Sequence, residues 1–172
     1  SPGDADDYQA WWNFKSLPKF NTDNPRVRKY IMEIARHWIR LGADGWRLDV
    51  PNEIDDMDFW AEFREVVKSE NPDAYLVGEI WDGDPSWVGE DSFDGLMNYP
   101  VRDALIGYLT GGKKASGFAL DIDRQLTQYS RQNVYDMYNP LGSHDTPRII
   151  NELGMDRKKL LMAYAFLFAY PG

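Results

Sequence analysis

The sequence predicts an α/β fold built from parallel βα units, and three observations carry that prediction. Short apolar runs of strand length alternate four times with amphipathic stretches of helical period. Turn residues bound each run, and the charged groups Asp49 and Glu79 stand toward the C-terminal ends of theirs. Right-handed crossovers between such strands leave a doubly wound sheet or a barrel as the natural architectures.

The elements follow in order. From Asn24 to Leu41, Val27, Tyr30, Ile31, Ile34, Trp38 and Leu41 recur at helical spacing behind an Asn24 cap and Pro25 in the first turn, and Gly42 stops the helix. A strand-like run over Asp44 to Val50 comes next. A second helix, capped near Asp55 or Asp56, carries Phe59, Phe63, Val66 and Val67 on one face and ends at Asn71-Pro72. Ala74 to Ile80 reads as a strand buried on both faces, followed by a Trp- and Gly-rich loop to Asp91. A third strand is expected at Asp94 to Asn98, helices at Val101 to Leu109 and Asp121 to Gln132, and a fourth strand at Met137 to Gly142. The last helix, Arg157 to Ala169, is almost wholly apolar and is expected to be well buried.

Composition narrows the function. The 172 residues are 43% hydrophobic and 27% charged, an ordinary globular balance, and the net charge of -9 would repel phosphate backbones, so nucleic acid is not an expected partner. No apolar run approaches the roughly 18 residues that cross a bilayer, and no membrane partner is expected. With no cysteine there is no disulfide framework, which suits a cytoplasmic setting and is equally allowed in a secreted protein. Aromatic residues reach 15%; their faces stack well on sugar C–H faces, and they are also common core material.

The chemistry-bearing residues are Arg47 and Asp49 on the first strand, Glu79 on the second, and His144-Asp145 just past the fourth. Alternation puts Arg47 and Asp49 on one strand face, so Asp49 has a cation beside it. All lie toward the C-terminal strand ends, where parallel βα folds gather their active sites. Retaining glycoside hydrolysis needs an ionised nucleophile and a protonated acid about 5–5.5 Å apart. Asp49, held ionised by Arg47, suits the first role; Glu79, in the less polar company of Ile80 and Trp81, suits the second. Asp145 would stabilise the oxocarbenium-like charge, with His144 donating a hydrogen bond alongside. Taken singly, each group has a plainer reading: a buried ion pair for Arg47 and Asp49, a surface strand end for Glu79, and a helix start capped by Asp145 or Thr146. Their order at successive strand ends is what favours the catalytic one.

Gly45-Trp46-Arg47-Leu48-Asp49-Val50, Val77-Gly78-Glu79-Ile80-Trp81 and Gly142-Ser143-His144-Asp145-Thr146 resemble the fourth-, fifth- and seventh-strand motifs of the α-amylase family of glycosidases. The resemblance implies that Asp49 is the nucleophile, Glu79 the general acid/base and Asp145 the transition-state carboxylate, with Arg47 and His144 in substrate-binding and supporting positions. Leu17-Pro18-Lys19-Phe20-Asn21, Asn52-Glu53 and Met97-Asn98-Tyr99-Pro100 are similar to the neopullulanase, cyclomaltodextrinase and maltogenic amylase group. In that group the Asn-Glu pair and the Trp after the acid/base line the acceptor side of the cleft, which makes Asn52, Glu53 and Trp81 candidates for leaving-group contacts. The alternative is ordinary loop polar residues and a packed Trp.

The resemblance implies a (β/α)8 TIM barrel present in part, about strands 4 to 7 with their helices. Residues 1–172 are expected to be a fragment of one catalytic domain, truncated at both ends, with residues 1–15 the tail of the small domain that interrupts the barrel; such a fragment alone would be inactive. The implied activity is retaining hydrolysis and transglycosylation of α-1,4, and also α-1,6, bonds in starch, pullulan or cyclodextrins. Other glucan transferases or isomerases of the family, and a catalytically silent amylase-like scaffold, are the alternatives. The expected partner is an α-glucan or maltooligosaccharide, with a homodimer open for the full-length protein. No cofactor is identified and no residue is assigned to a metal; in this family calcium is held largely by regions outside these residues.

Overall fold

The computed structural model describes residues 7–172, which form two compact units: the residues up to Gly45 with Pro51–Ala74, and Trp46–Val50 with Tyr75–Gly172. Residues 1–6 of the expected tail lie outside the described residues. Within the rest of it, Trp11–Asn13 forms a 3-10 turn on which Trp11 and Trp12 stack.

The first unit pairs two helices, α1 (Pro25–Arg40) and α2 (Met57–Glu70). Asn24 caps α1 by accepting the Arg26 N–H at 2.9 Å, and Asp56 caps α2 by accepting that of Phe59 at 3.0 Å. Arg28 then ties the helices together, reaching Asp56 at 2.8 Å and Glu62 at 2.5 Å while its guanidinium lies over the Phe59 ring. Gly42, with φ of 99°, ends the first helical segment in the left-handed region that glycine adopts freely. The buried side chains are Met32, Ala35 and Ile39 on α1 and Phe59, Trp60, Phe63, Val66 and Val67 on α2. Tyr30, Ile34, Trp38 and Leu41 stay exposed, so α1 carries two apolar faces and its large aromatic and aliphatic stripe is not the buried one.

The sheet has the order β1 (Gly45–Leu48), β2 (Tyr75–Gly78), β3 (Gly95–Leu96), and all of it but Gly45 belongs to the second unit. β2 and β3 run parallel, with Val77 opposite Gly95 and Gly78 opposite Leu96. Beyond β3 the expected fourth strand is reduced to a parallel bridge between Met97 and Tyr138. Tyr138 donates to the Leu96 carbonyl and accepts from the Asn98 N–H, but Pro140, two residues on, has no N–H with which to continue a ladder.

Helices follow: α3 (Tyr99–Leu109), α4 (Ala115–Thr127), α5 (Arg131–Tyr135), α6 (Ile149–Glu152) and α7 (Arg157–Ala169). The single helix expected over Asp121 to Gln132 is thus two, because Ser130 turns extended and its Oγ accepts the Asn133 N–H as a fresh cap. Leu105 and Leu109 of α3, Leu153 and Ala163 form a core against which Leu141, Ile149 and Phe166 pack. Contrary to expectation α7 is not well buried. Only its Ala163 face is covered, and Phe168 is 87% exposed. An all-apolar helix can hide every face only when packed on every side.

At Gly95 the chain passes so close to the Asp136 carbonyl that a Cβ would collide with it. Gly95→Ala is therefore expected to destabilise the intact protein by about 1–3 kcal/mol. Urea unfolding of the variant reads this as a lowered midpoint, and an unchanged midpoint would contradict the close approach.

Candidate active site

The site begins with strand pairing. The Leu48 carbonyl of β1 accepts the Glu79 N–H just past β2 at 3.0 Å, which sets the Glu79 side chain beside that of Arg47. Arg47 Nη1 lies 2.5 Å from Asp49 Oδ1 and Nη2 lies 2.7 Å from Glu79 Oε1. The second contact is close but not aligned, so it acts as charge attraction without a directed hydrogen bond. One planar guanidinium therefore carries both carboxylates, one on each terminal nitrogen.

The two carboxylates sit in different surroundings. The Asp49 side chain is 68% exposed, whereas that of Glu79 is 2% exposed. Burial pushes the Glu79 carboxyl above its ordinary value; Arg47 and the Val50 N–H pull it down, and the charges of Asp49 and Asp145 push it up. The net direction is upward, toward the protonated form.

Val50 contributes through its backbone. Its φ of 37° is left-handed, a conformation that a β-branched residue holds only at a cost of order 1–3 kcal/mol. In that conformation its N–H donates to Glu79 Oε2 at 3.2 Å. Pro51 follows directly, fixing its own φ and offering no N–H.

His144 and Asp145 lie in the loop after Leu141. They do not start a helix: α6 begins only at Ile149, with Arg148 as the residue before it, so neither Asp145 nor Thr146 caps it. Thr146 Oγ1 instead accepts the Ser143 N–H at 2.8 Å, and Ser143 Oγ accepts the Asp145 N–H at 3.2 Å. His144 Nε2 stands 3.1 Å from Asp145 Oδ2. Tyr99, to which the sequence reading gave no role, joins this loop to Trp81. Its hydroxyl donates to Ser143 Oγ at 3.1 Å, and its ring stacks on Trp81 with centroids 3.9 Å apart and planes 3° from parallel. Burial raises the Tyr99 hydroxyl above its usual range, the Ser143 hydrogen bond opposes this, and the charges of Glu79 and Asp145 add to it. Within the second unit, the guanidinium thus joins Arg47, Asp49 and Glu79, the stacked rings join Trp81 and Tyr99, and Tyr99 reaches the Asp145 loop through Ser143.

Asn52 and Glu53 belong to the first unit. Asn52 is exposed, while Glu53 is partly buried and pairs with Lys19, whose Nζ is 3.3 Å from Glu53 Oε2. The Leu17–Asn21 run and the Asn52-Glu53 pair, far apart in sequence, therefore meet. Around them lies a cavity of about 580 Å³ lined by Tyr8, Lys19, Phe20, Glu53, Asp55 and Asp56, among others.

The site thus sets a buried carboxyl biased toward protonation and an exposed carboxylate on one guanidinium, with a stacked aromatic pair in the same unit. Comparison with known proteins identifies the family. Residues 3–172 match the family described as "Alpha amylase, catalytic domain". The chain is 38% identical to a cyclomaltodextrinase of a Bacillus species over 99% of its own length, and 42% identical to neopullulanase 2 of Thermoactinomyces vulgaris over 91%. It spans only 34% and 27% of those two proteins. Among solved structures, it is similar to the debranching enzyme of Nostoc punctiforme, with a TM-score of 0.93 and 37% identity over all of this chain and 40% of that one. It is also similar to the cyclic α-maltosyl-(1→6)-maltose hydrolase of Arthrobacter globiformis, with a TM-score of 0.91 and 39% identity over 94% of this chain and 37% of that one. The family's catalytic domain is a TIM barrel, and the chain belongs to the α-amylase family.

Proposed function

We propose that the protein is a retaining α-glucan hydrolase and transglycosylase that cleaves α-1,4 bonds, and also α-1,6 bonds, in starch, pullulan or cyclodextrins. The observation that carries this reading is the Arg47 guanidinium shared between Asp49 and Glu79. Asp49, exposed and paired with a cation, attacks the anomeric carbon. Glu79, biased toward its protonated form, gives its proton to the leaving oxygen and later takes one from the incoming water or sugar hydroxyl. Asp145, with His144 beside it, steadies the developing positive charge. Trp81, stacked on Tyr99, offers a face to the acceptor sugar. The resemblance to the neopullulanase group supports Asn52 and Glu53 as polar substrate contacts. The names of the relatives, a cyclomaltodextrinase, a neopullulanase and a debranching enzyme, support the choice of glucans. We assign β1, β2, β3 and the Tyr138 segment to the fourth to seventh barrel strands. Cytoplasmic placement is supported by 40% identity to a Bacillus subtilis protein named intracellular maltogenic amylase.

In the intact protein, Asp49→Asn and Glu79→Gln are each expected to lower kcat on β-cyclodextrin by at least about 10²–10⁴-fold. Measured release of reducing sugar decides this, and near-parent turnover in either variant would sink the reading. Panose or maltose as the main product from pullulan or starch supports the neopullulanase-like substrate choice.

A second expectation concerns pH. Glu79 acts when protonated, so kcat/KM falls as pH rises through its pKa. Because that pKa lies above the ordinary value of about 4.3, the alkaline limb is displaced upward by the same sense. Arg47 lowers the Glu79 pKa, so the residual activity of Arg47→Leu should lose its alkaline limb at a higher pH than the parent. A limb that moves to lower pH would contradict the assignment of Glu79 as the acid.

A further inference from the structure

Arg102 is a charged side chain that the chemistry above does not use, yet it is only 6% exposed. A buried guanidinium is expensive unless every donor finds a partner. Its Nη1 pairs with Asp103 at 2.8 Å, its Nε donates to the Leu141 carbonyl at 3.3 Å, and its Nη2 pairs with Glu152. Leu141 lies directly before Gly142-Ser143-His144-Asp145, and Glu152 closes α6, the first helix after that loop. One side chain of α3 therefore holds both ends of the segment that carries Asp145.

The middle of the segment is held from the same helix. Tyr99, three residues before Arg102 and so on the same helical side, donates to Ser143 Oγ, which in turn accepts the Asp145 N–H. Leu141 and Ile149 at the two ends of the loop also pack on the core that Leu105 and Leu109 of α3 help to form.

We propose that Arg102 and Tyr99 are positioning residues for Asp145: α3 braces the Leu141–Glu152 segment at its entry, middle and exit, and so fixes where the Asp145 carboxylate stands. The proposal rests on the reading that Asp145 works on the transition state. Loss of either brace lets the carboxylate wander by a fraction of an ångström to an ångström, which costs turnover more than binding, since transition-state contacts are the ones that depend on exact placement.

The test is a double-mutant cycle in the intact protein, with an aryl α-maltoside as substrate. Tyr99→Phe keeps the ring that stacks on Trp81 and removes only the hydroxyl. It should lower kcat about 2- to 10-fold, the worth of one hydrogen bond, with KM within about 2-fold. Arg102→Leu should lower kcat further, about 10- to 100-fold, and Arg102→Lys should recover part of that loss. In an Asp145→Asn background neither Tyr99→Phe nor Arg102→Leu should lower kcat by more than about 2-fold more, because what they position is gone. An undiminished loss in that background, or an unchanged kcat in Tyr99→Phe, would overturn the proposal. If Arg102→Leu fails to fold, the Tyr99→Phe cycle decides alone. Parent-like kcat in Asp145→Asn by itself would remove the functional reading underneath, and the proposal with it.

Discussion

The Arg47 guanidinium stands between two carboxylates, Asp49 and Glu79, that would otherwise repel each other at the tips of adjacent strands. That placement and the burial of Glu79 together set the electrostatics of the pair. Two like charges sharing one small region push one member toward protonation. Burial decides which: Glu79 is enclosed and Asp49 is not, so the penalty falls on Glu79. The cation opposes that penalty without cancelling it, and the unaligned geometry of its contact with Glu79 fits a partner that does not lock the carboxyl into its charged form. With Asp49, which is exposed, the same guanidinium makes a close ion pair at 2.5 Å.

Holding this arrangement costs backbone strain. Val50 adopts a left-handed conformation that places its N–H against Glu79 Oε2, and a residue with a branched side chain does so only when its surroundings over-determine it. Gly78 on β2 serves the same end from the other side. A Cβ there would stand 2.5 Å from the Phe93 ring, so glycine lets that ring close over the strand that delivers Glu79. Sheet pairing, local strain and a tight aromatic approach thus converge on one carboxyl group.

Much of this was legible in the sequence, and the reasons are local. Asn24 and Asp56 cap their helices as their side chains dictate, and the two-residue period of a strand set Arg47 beside Asp49. The buried face of α1, the open faces of α7 and the loss of the fourth strand were not legible, because they depend on what packs against each element and on one missing N–H at Pro140. The reach of Arg47 to Glu79, the pairing of Lys19 with Glu53, and the grip of Tyr99 and Arg102 on the Asp145 loop span 32 to 50 residues of sequence, and periodicity carries no information about such pairs. The motif around Met97 to Pro100 contained Tyr99, but nothing in its spacing marked the hydroxyl as a tether.

The division of labour between the two carboxylates is open to direct chemical reading. A retaining enzyme forms a covalent glycosyl ester on its nucleophile, and a 5-fluoro-α-glucosyl fluoride slows the release of that ester enough to capture it. Peptide mass spectrometry of the trapped intact protein should find the sugar on Asp49. A sugar on Glu79, or the absence of any covalent adduct while the fluoride is turned over, would contradict the central claim that Arg47 holds one carboxylate for attack and the other for proton transfer.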